Sequence, residues 1–266
     1  MRAVVLGNDV YAYTGARAVD TGHPSVVFVH GAGNDHSVWA LQSRYFAHHG
    51  WNALAVDLPA HGRSGGAPLA SVEALADWLV AFLDAAGVAQ AALVGHSMGS
   101  LAALECAARH ADRVSKLALV GTAAPMPVSE MLLEAAKRND HVACELITGW
   151  SFSAAKQLGG SQVPGLWLTG NGLRLLEREK PGVLYADLAA CNGYVAGETS
   201  AAKLRCAVLA ILGARDLMAP ARNARALIAK FADARVVTIP DCGHSLMAEQ
   251  PDAVLDALRA FLIPAT

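Results

Sequence analysis

Short apolar runs recur along the chain, and most are followed by a segment of helical periodicity. Ser25–His30 (SVVFVH), Asn52–Asp57 (NALAVD), Ala91–Gly95 (AALVG), Lys116–Gly121 (KLALVG), Ala207–Gly213 (AVLAILG) and Arg235–Pro240 (RVVTIP) are almost continuously apolar. A strand with one wet face alternates, whereas a strand covered on both faces does not. The runs therefore predict a parallel sheet with helices on either side. Near the start, Arg2–Leu6 and Val10–Tyr13 flank Gly7-Asn8-Asp9, which predicts a hairpin at the sheet edge. Between the runs, Ser71 can cap a helix with Glu73 in its first turn and Leu75, Leu79, Phe82 and Leu83 on one face, ending near Gly87. Pro251 suits a first helical position, followed by the stripe Val254, Leu255, Leu258, Phe261 and Leu262. Alternating strand and helix of this kind reads as a doubly wound, mostly parallel α/β fold.

One stretch breaks the rhythm. From Ala123 to Ala202 there are helical patterns and turns (Pro125, Pro127, Gly159-Gly160, Pro164, Pro181-Gly182) but no buried strand. A compact domain rarely carries a loop beyond ~12–15 residues, so a helical insertion is expected there.

Composition narrows the function classes. A 54% hydrophobic fraction with 17% charged residues disfavours disorder. The net charge of −2 and the absence of basic clusters argue against a nucleic-acid partner. The five cysteines never form a C-x-x-C pair, so a disulfide framework or structural zinc site is not expected and they read as small buried apolar residues. No run approaches the ~18 apolar residues of a membrane span, and the N-terminal apolar stretch is too short for a signal-peptide core. A cytoplasmic protein is the expectation.

The chemistry concentrates in a few loops. Gly95-His96-Ser97-Met98-Gly99 follows the Ala91–Val94 run and precedes the helical Leu101–His110, the strand–turn–helix context of a G-x-S-x-G motif. Side chains two positions either side of Ser97 would collide with strand and helix, which explains the glycines. A G-x-S-x-G can be an ordinary turn, but this placement favours Ser97 as a nucleophile. A serine hydroxyl needs a base, and His244, in Asp241-Cys242-Gly243-His244-Ser245, lies where open α/β sheets build their sites, at the carboxyl end of a strand. Asp216, after the Ala207–Leu212 run, is the expected acid, with Asp241 held in reserve. A loop aspartate is more often a turn or cap residue, and the chain order Ser–acid–His is what favours Asp216. The oxyanion donors expected are the backbone amides of Met98 and Ala32, with Gly33 next. His30 is expected to brace that loop, not to act as a base.

These motifs resemble the α/β-hydrolase superfamily along nearly the whole chain. The matching segments are VFVHGAG (27–33), VDLPAHGRS (56–64), LVGHSMGS (93–100), ILGARD (211–216) and IPDCGH (239–244). The resemblance implies an eight-stranded sheet, a core of residues 1–122 and 203–266, and a helical lid, 123–202, inserted after the sixth strand. It assigns Asp57–Ser64 a structural part and His61 no catalytic role. Serine at position 97 departs from the aspartate of dehalogenases and epoxide hydrolases of this fold, and the HGAG loop differs from the HGGG of lipase-type enzymes.

The resemblance thus implies a small-molecule carboxylesterase working without a cofactor or metal. Gly33, Trp150 and Trp167 are the candidate substrate-binding residues; Met126, Met131, Phe152, Leu166, Tyr185 and Tyr194 are expected mainly to pack the lid. The same triad also supports carbon–carbon bond hydrolysis of ring-cleavage diketones and cofactor-free perhydrolysis. A ligand-binding receptor on the same fold is the non-enzymatic alternative.

Overall fold

The computed structural model describes residues 1–161, 163 and 165–263; Pro164, expected in a turn, lies outside them. One eight-stranded sheet forms the centre, built from β1 (Arg2–Val5), β2 (Asn8–Tyr13), β3 (Ser25–Val29), β4 (Asn52–Val56), β5 (Ala91–His96), β6 (Val114–Val120), β7 (Ala207–Gly213) and β8 (Ala234–Ile239). The spatial order is β1-β2-β4-β3-β5-β6-β7-β8. The hairpin β1–β2 is antiparallel and joins antiparallel to β4; all later pairings are parallel.

The two faces of the sheet sort alternate residues into separate cores. Along β3, Val27 and Val29 join Leu54, Val56, Leu79, Phe82 and Leu101 on one side. Val26 and Phe28 join Trp39, Phe46, Val254 and Leu258 on the other. The first layer is formed by α2 (Val72–Ala85) and α3 (Met98–Arg109), the second by α1 (Ala40–Ala47) and α12 (Pro251–Leu262). Burying each large apolar side chain contributes roughly 1.5–3 kcal/mol, so the period-two division of one strand fixes its register against both layers at once. Ser71 caps α2 through its hydroxyl, which accepts from the Ala74 amide at 3.2 Å, and Pro251 opens α12.

Two expectations change. The hairpin turns at Leu6-Gly7, with φ of 48° and 81°, so Asn8 and Asp9 already belong to β2. A two-residue turn that follows the strand twist needs positive φ at both positions, and Gly7 supplies one of them. β8, expected to be covered on both faces, is largely exposed, because it closes the sheet as an edge strand.

Between β6 and β7 the chain leaves the sheet through α4 (Glu130–Lys137), α5 (Val142–Ser151), α6 (Ala154–Gln157), α7 (Leu168–Leu176), α8 (Val183–Gly193) and α9 (Gly197–Ala201), with no strand among the described residues. These helices have a small core of their own, in which Leu132, Ile147, Leu176 and Leu188 meet. After β7 come two short helices, α10 (Arg225–Ile228) and α11 (Leu246–Glu249), and then α12. Among the described residues no helix is long and apolar enough to cross a membrane, and all five cysteines are free.

Candidate active site

Ser97 occupies the sharp turn between β5 and α3 with φ 52° and ψ −121°. A non-glycine residue held in such a region carries a strain of about 1–3 kcal/mol, which the surroundings must offset. Here the Ser97 amide donates to the Val120 carbonyl at 3.0 Å, and the Ser100 hydroxyl holds the Ser97 carbonyl at 2.6 Å. The flanking glycines are steric necessities. A Cβ on Gly95 would strike the backbone of Gly99 and Ser100, and one on Gly99 would strike the backbone of Val29 and His30. The sequence bends this tightly because both contact points lack side chains.

His244 and Asp216 come from the loops after β8 and β7. Nδ1 of His244 lies 2.8 Å from Oδ2 of Asp216, while the other carboxylate oxygen accepts the amides of Met218 (2.9 Å) and Ala219 (2.8 Å). Burial alone would raise the Asp216 pKa, but the His244 charge, its hydrogen bond and those two amides hold it below the ordinary carboxylate value. Nε2 of His244 is buried without a hydrogen-bond partner among the described residues, and the Ser97 hydroxyl is directed at the Met126 sulfur, 4.0 Å away. Asp241 stands apart: it is exposed and lies 3.5 Å from the Arg215 guanidinium.

His96, a residue that sequence reasoning passed over, donates from Nε2 to the His244 carbonyl at 2.9 Å. Burial and the neighbouring His244 push its pKa down to about 3, so it stays neutral. Gly121 is a second silent contributor, since a Cβ there would come within 3.2 Å of the His244 ring. For His96 the only signal was its place directly beside Ser97, and for Gly121 its place at the carboxyl end of a strand run.

The loop after β3 brings Gly31 against Ser97, a Cβ there falling 3.1 Å from the serine Cβ. A turn hydrogen bond runs from the Asn34 amide to the Gly31 carbonyl at 3.2 Å, and the Ala32 amide takes no part in it. Met98 is the first residue of α3, so its amide has no carbonyl one helical turn back. His30 donates from Nδ1 to the Gly31 carbonyl (2.9 Å) and accepts the Leu58 amide at Nε2 (3.1 Å). This pattern requires a neutral ring, and burial together with nearby His61 lowers its pKa to about 4.

A cavity of about 390 Å³ opens above the turn, lined by Ser97 and His244 at one end and by Met126, Leu132, Ile147 and Trp150 elsewhere. Phe152, Leu176, Leu188 and Met218 extend the apolar wall, and among the described residues no carboxylate, lysine or arginine lines it. Two expected substrate contacts are corrected. Trp167 is 67% exposed and does not reach the cavity, because its ring folds back over Gly170 in its own helix. Gly33 is likewise absent from the wall. Its amide donates to Asp187 Oδ2 at 2.9 Å, and Leu176 and Leu184 close over its Cα. Met131 and Leu166 point to solvent, and Tyr194 is buried with its hydroxyl on Glu105 at 2.7 Å.

Asp35, His36 and Asp57 form the one acidic–histidine cluster with metal-compatible spacing among the described residues. Its ligand atoms already serve the protein: Asp57 Oδ1 accepts from the His36 amide and lies 2.7 Å from Nδ1, and Asp35 caps the next turn through the Ser37 amide.

A strand–turn–helix serine, a buried histidine–aspartate pair and a glycine loop all at the carboxyl ends of parallel strands define a class. The chain belongs to the alpha/beta hydrolase family, whose model matches residues 26–257. It is 29% identical over 250 residues to the pimeloyl-[acyl-carrier protein] methyl ester esterase of Chromobacterium violaceum, covering 90% of this chain and 94% of that protein. A shorter match, 32% identical over 146 residues, covers 54% of this chain and 49% of a Mycobacterium phage D29 protein provisionally described as a non-heme haloperoxidase. In three dimensions the fold is similar to the enol-lactonase of Burkholderia xenovorans LB400, with a TM-score of 0.88, 24% identity and coverage of 99% of this chain and 100% of that one.

Proposed function

We propose that the protein is a serine hydrolase of small carboxylic esters bearing an uncharged, apolar acyl chain. Ser97 is the nucleophile, His244 the general base and Asp216 the group that orients it. One observation carries the reading: His244 is tied to Asp216 through Nδ1, and its buried Nε2 has no partner at a cavity it shares with Ser97. A ring so held has one nitrogen committed and one available for a proton.

In the proposed reaction His244 Nε2 takes the Ser97 proton as Oγ bonds to the ester carbonyl carbon. The resulting oxyanion sits on the amides of Ala32 and Met98. The proton passes to the departing alcohol as the carbon–oxygen bond breaks, leaving an acyl-Ser97. Water, deprotonated by His244, then releases the acid and restores the hydroxyl. The Ser97–His244 hydrogen bond is expected to form when substrate displaces the hydroxyl from Met126, as catalytic hydrogen bonds often tighten only in the bound complex. The wall of Leu132, Ile147, Leu188 and Phe152 supports the acyl preference, and the methyl ester esterase relative supports ester chemistry. The helices between β6 and β7, which supply most of that wall, are assigned the part of a lid.

The deciding test is covalent. A fluorophosphonate probe should label the wild type at Ser97, and p-nitrophenyl esters should give an acyl-enzyme burst. Ser97→Ala should remove both while keeping the melting temperature; persistent turnover in that variant would overturn the assignment. The partial match to the haloperoxidase-described protein favours one second reading, perhydrolysis, in which hydrogen peroxide replaces water on the same acyl-enzyme. Peracid formation from a short carboxylic acid and peroxide would establish it. A panel adding lactones and a ring-cleavage diketone separates the remaining chemistries.

A further inference from the structure

Asp187 lies on α8, in the helical segment, yet its carboxylate serves two loops of the sheet core. Oδ2 accepts the Gly33 amide at 2.9 Å and faces Nε2 of His61 at 2.8 Å. The site is sealed, with Asp187 2% and His61 1% exposed. The second nitrogen of His61 faces the Pro59 carbonyl at 2.9 Å. An acceptor at each nitrogen means that both must carry protons, so the ring is an imidazolium. Burial opposes that charge, but the Asp187 carboxylate, aided by Glu179 and the Pro59 carbonyl, more than offsets it and raises the His61 pKa to about 9.

Stability alone does not account for this arrangement. A buried ion pair often stabilises no more than apolar residues of similar volume, and Leu176 and Leu184 already close around Gly33. What the carboxylate adds is location: it fixes one backbone amide next to Ala32. We propose that Asp187 is a positioning residue, holding the 30–34 loop through the Gly33 amide so that the Ala32 N–H meets the oxyanion of the tetrahedral intermediate. The proposal rests on the ester-hydrolase reading of the site. It also explains why Gly33 cannot itself be the donor, since its hydrogen is committed to Asp187.

Two substitutions separate positioning from mere filling of space. Asp187→Asn keeps an oxygen that can accept both the Gly33 amide and the Nε2–H of a neutral His61, so both contacts of residue 187 survive without charge and only the His61–Pro59 bond is given up. Asp187→Ala removes them. Both are assayed with p-nitrophenyl butyrate, with active sites counted by fluorophosphonate titration, and with a trifluoromethyl ketone whose hemiketal oxyanion occupies the same place as the intermediate. Loss of one aligned donor typically lowers the rate by roughly 10²–10³, and a loosened donor should lose less, so Asp187→Ala is expected to lower kcat about 10- to 100-fold. Its KM should stay within about three-fold, and ketone affinity should fall by the same factor as kcat/KM. Asp187→Asn should recover kcat to within about five-fold of wild type. Should the alanine variant not fold, Asp187→Ser, too short to reach Gly33, carries the same expectations. Retention of kcat within about two-fold per titrated site in the truncated variant would overturn the proposal, as would an effect confined to KM. If the wild type is neither labelled at Ser97 nor active on any ester, the ester-hydrolase reading fails first.

Discussion

Two fully buried histidine–aspartate pairs among the described residues have the same 2.8 Å separation, and they differ in a single free atom. His244 meets Asp216 through Nδ1 and leaves Nε2 without a partner. His61 meets Asp187 through Nε2 and spends Nδ1 on the Pro59 carbonyl. The first ring can take up a proton, whereas the second has both nitrogens occupied and can only hold one. On the proposed reading, what suits a histidine to act as a base is an available nitrogen facing a cavity, not proximity to a carboxylate alone. Both pairs are equally close and equally buried, so neither distance nor burial would have told them apart.

The largest effect expected from this contrast comes from making the same change in each pair. Asp216→Asn should lower kcat/KM by about 10⁴, because an amide facing Nδ1 favours the wrong tautomer of His244. Asp187→Asn should cost about five-fold or less, since its loop contacts persist. Comparable losses at the two sites, measured on one ester at one pH, would erase the distinction. Asp241→Asn, at an exposed carboxylate that faces Arg215, should stay within about two-fold of wild type.

A second prediction separates the pairs by stability. Since His61 is raised from 6.5 to about 9, its contribution is fully present below pH 6.5 and is lost as pH rises through about 9. The melting temperature of the wild type should accordingly fall between pH 7 and 9, and Asp187→Asn, whose His61 is neutral throughout, should show a flatter profile. Glu179, which faces His61 and is raised by burial to about 7, lowers stability in the same sense over the lower part of this window, so the fall is read between pH 8 and 9, where Glu179 no longer interferes. His30 and His96, both lowered, act in the opposite sense and at lower pH, so they do not confuse it either. Parallel profiles in the two proteins would place the His61 proton elsewhere.

Smaller effects test the cavity. Removing the Trp150 ring should raise KM for longer acyl esters by about ten-fold, as expected for one large apolar contact, with less change for acetate. Trp167→Ala should alter kcat/KM by less than about two-fold. An acyl-length profile of each variant decides whether these two tryptophans differ as their exposure implies.

Much of the architecture was readable in the chain because it is written in local terms. Six runs without alternation read as covered strands, as five of them are, and a serine between two glycines after one of them read as a tight turn. Asp216 was marked by its place after a run and before His244. What could not be read depends on contacts between distant segments. Asp187 meets partners in loops more than a hundred positions earlier, and nothing in LYADLAACNG marks it out from an ordinary helical acid. Trp167 fits a pocket-lining residue by composition, but Gly170 gives its ring a seat on the same helix. The exposure of β8 depends on what lies beyond it in the sheet, which local apolarity cannot express.

The link between Asp187 and Gly33 also bears on how such a protein could be diversified. Most of the cavity wall is contributed by the segment between β6 and β7, which invites grafting that whole segment from a relative to exchange the proposed acyl preference for another. A graft lacking an acid at the position of Asp187 would leave a buried imidazolium without its counter-ion and a loop amide without its acceptor. The two parts of the chain are thus not freely interchangeable modules. Any donor segment has to bring this one aspartate with it, whatever else it changes.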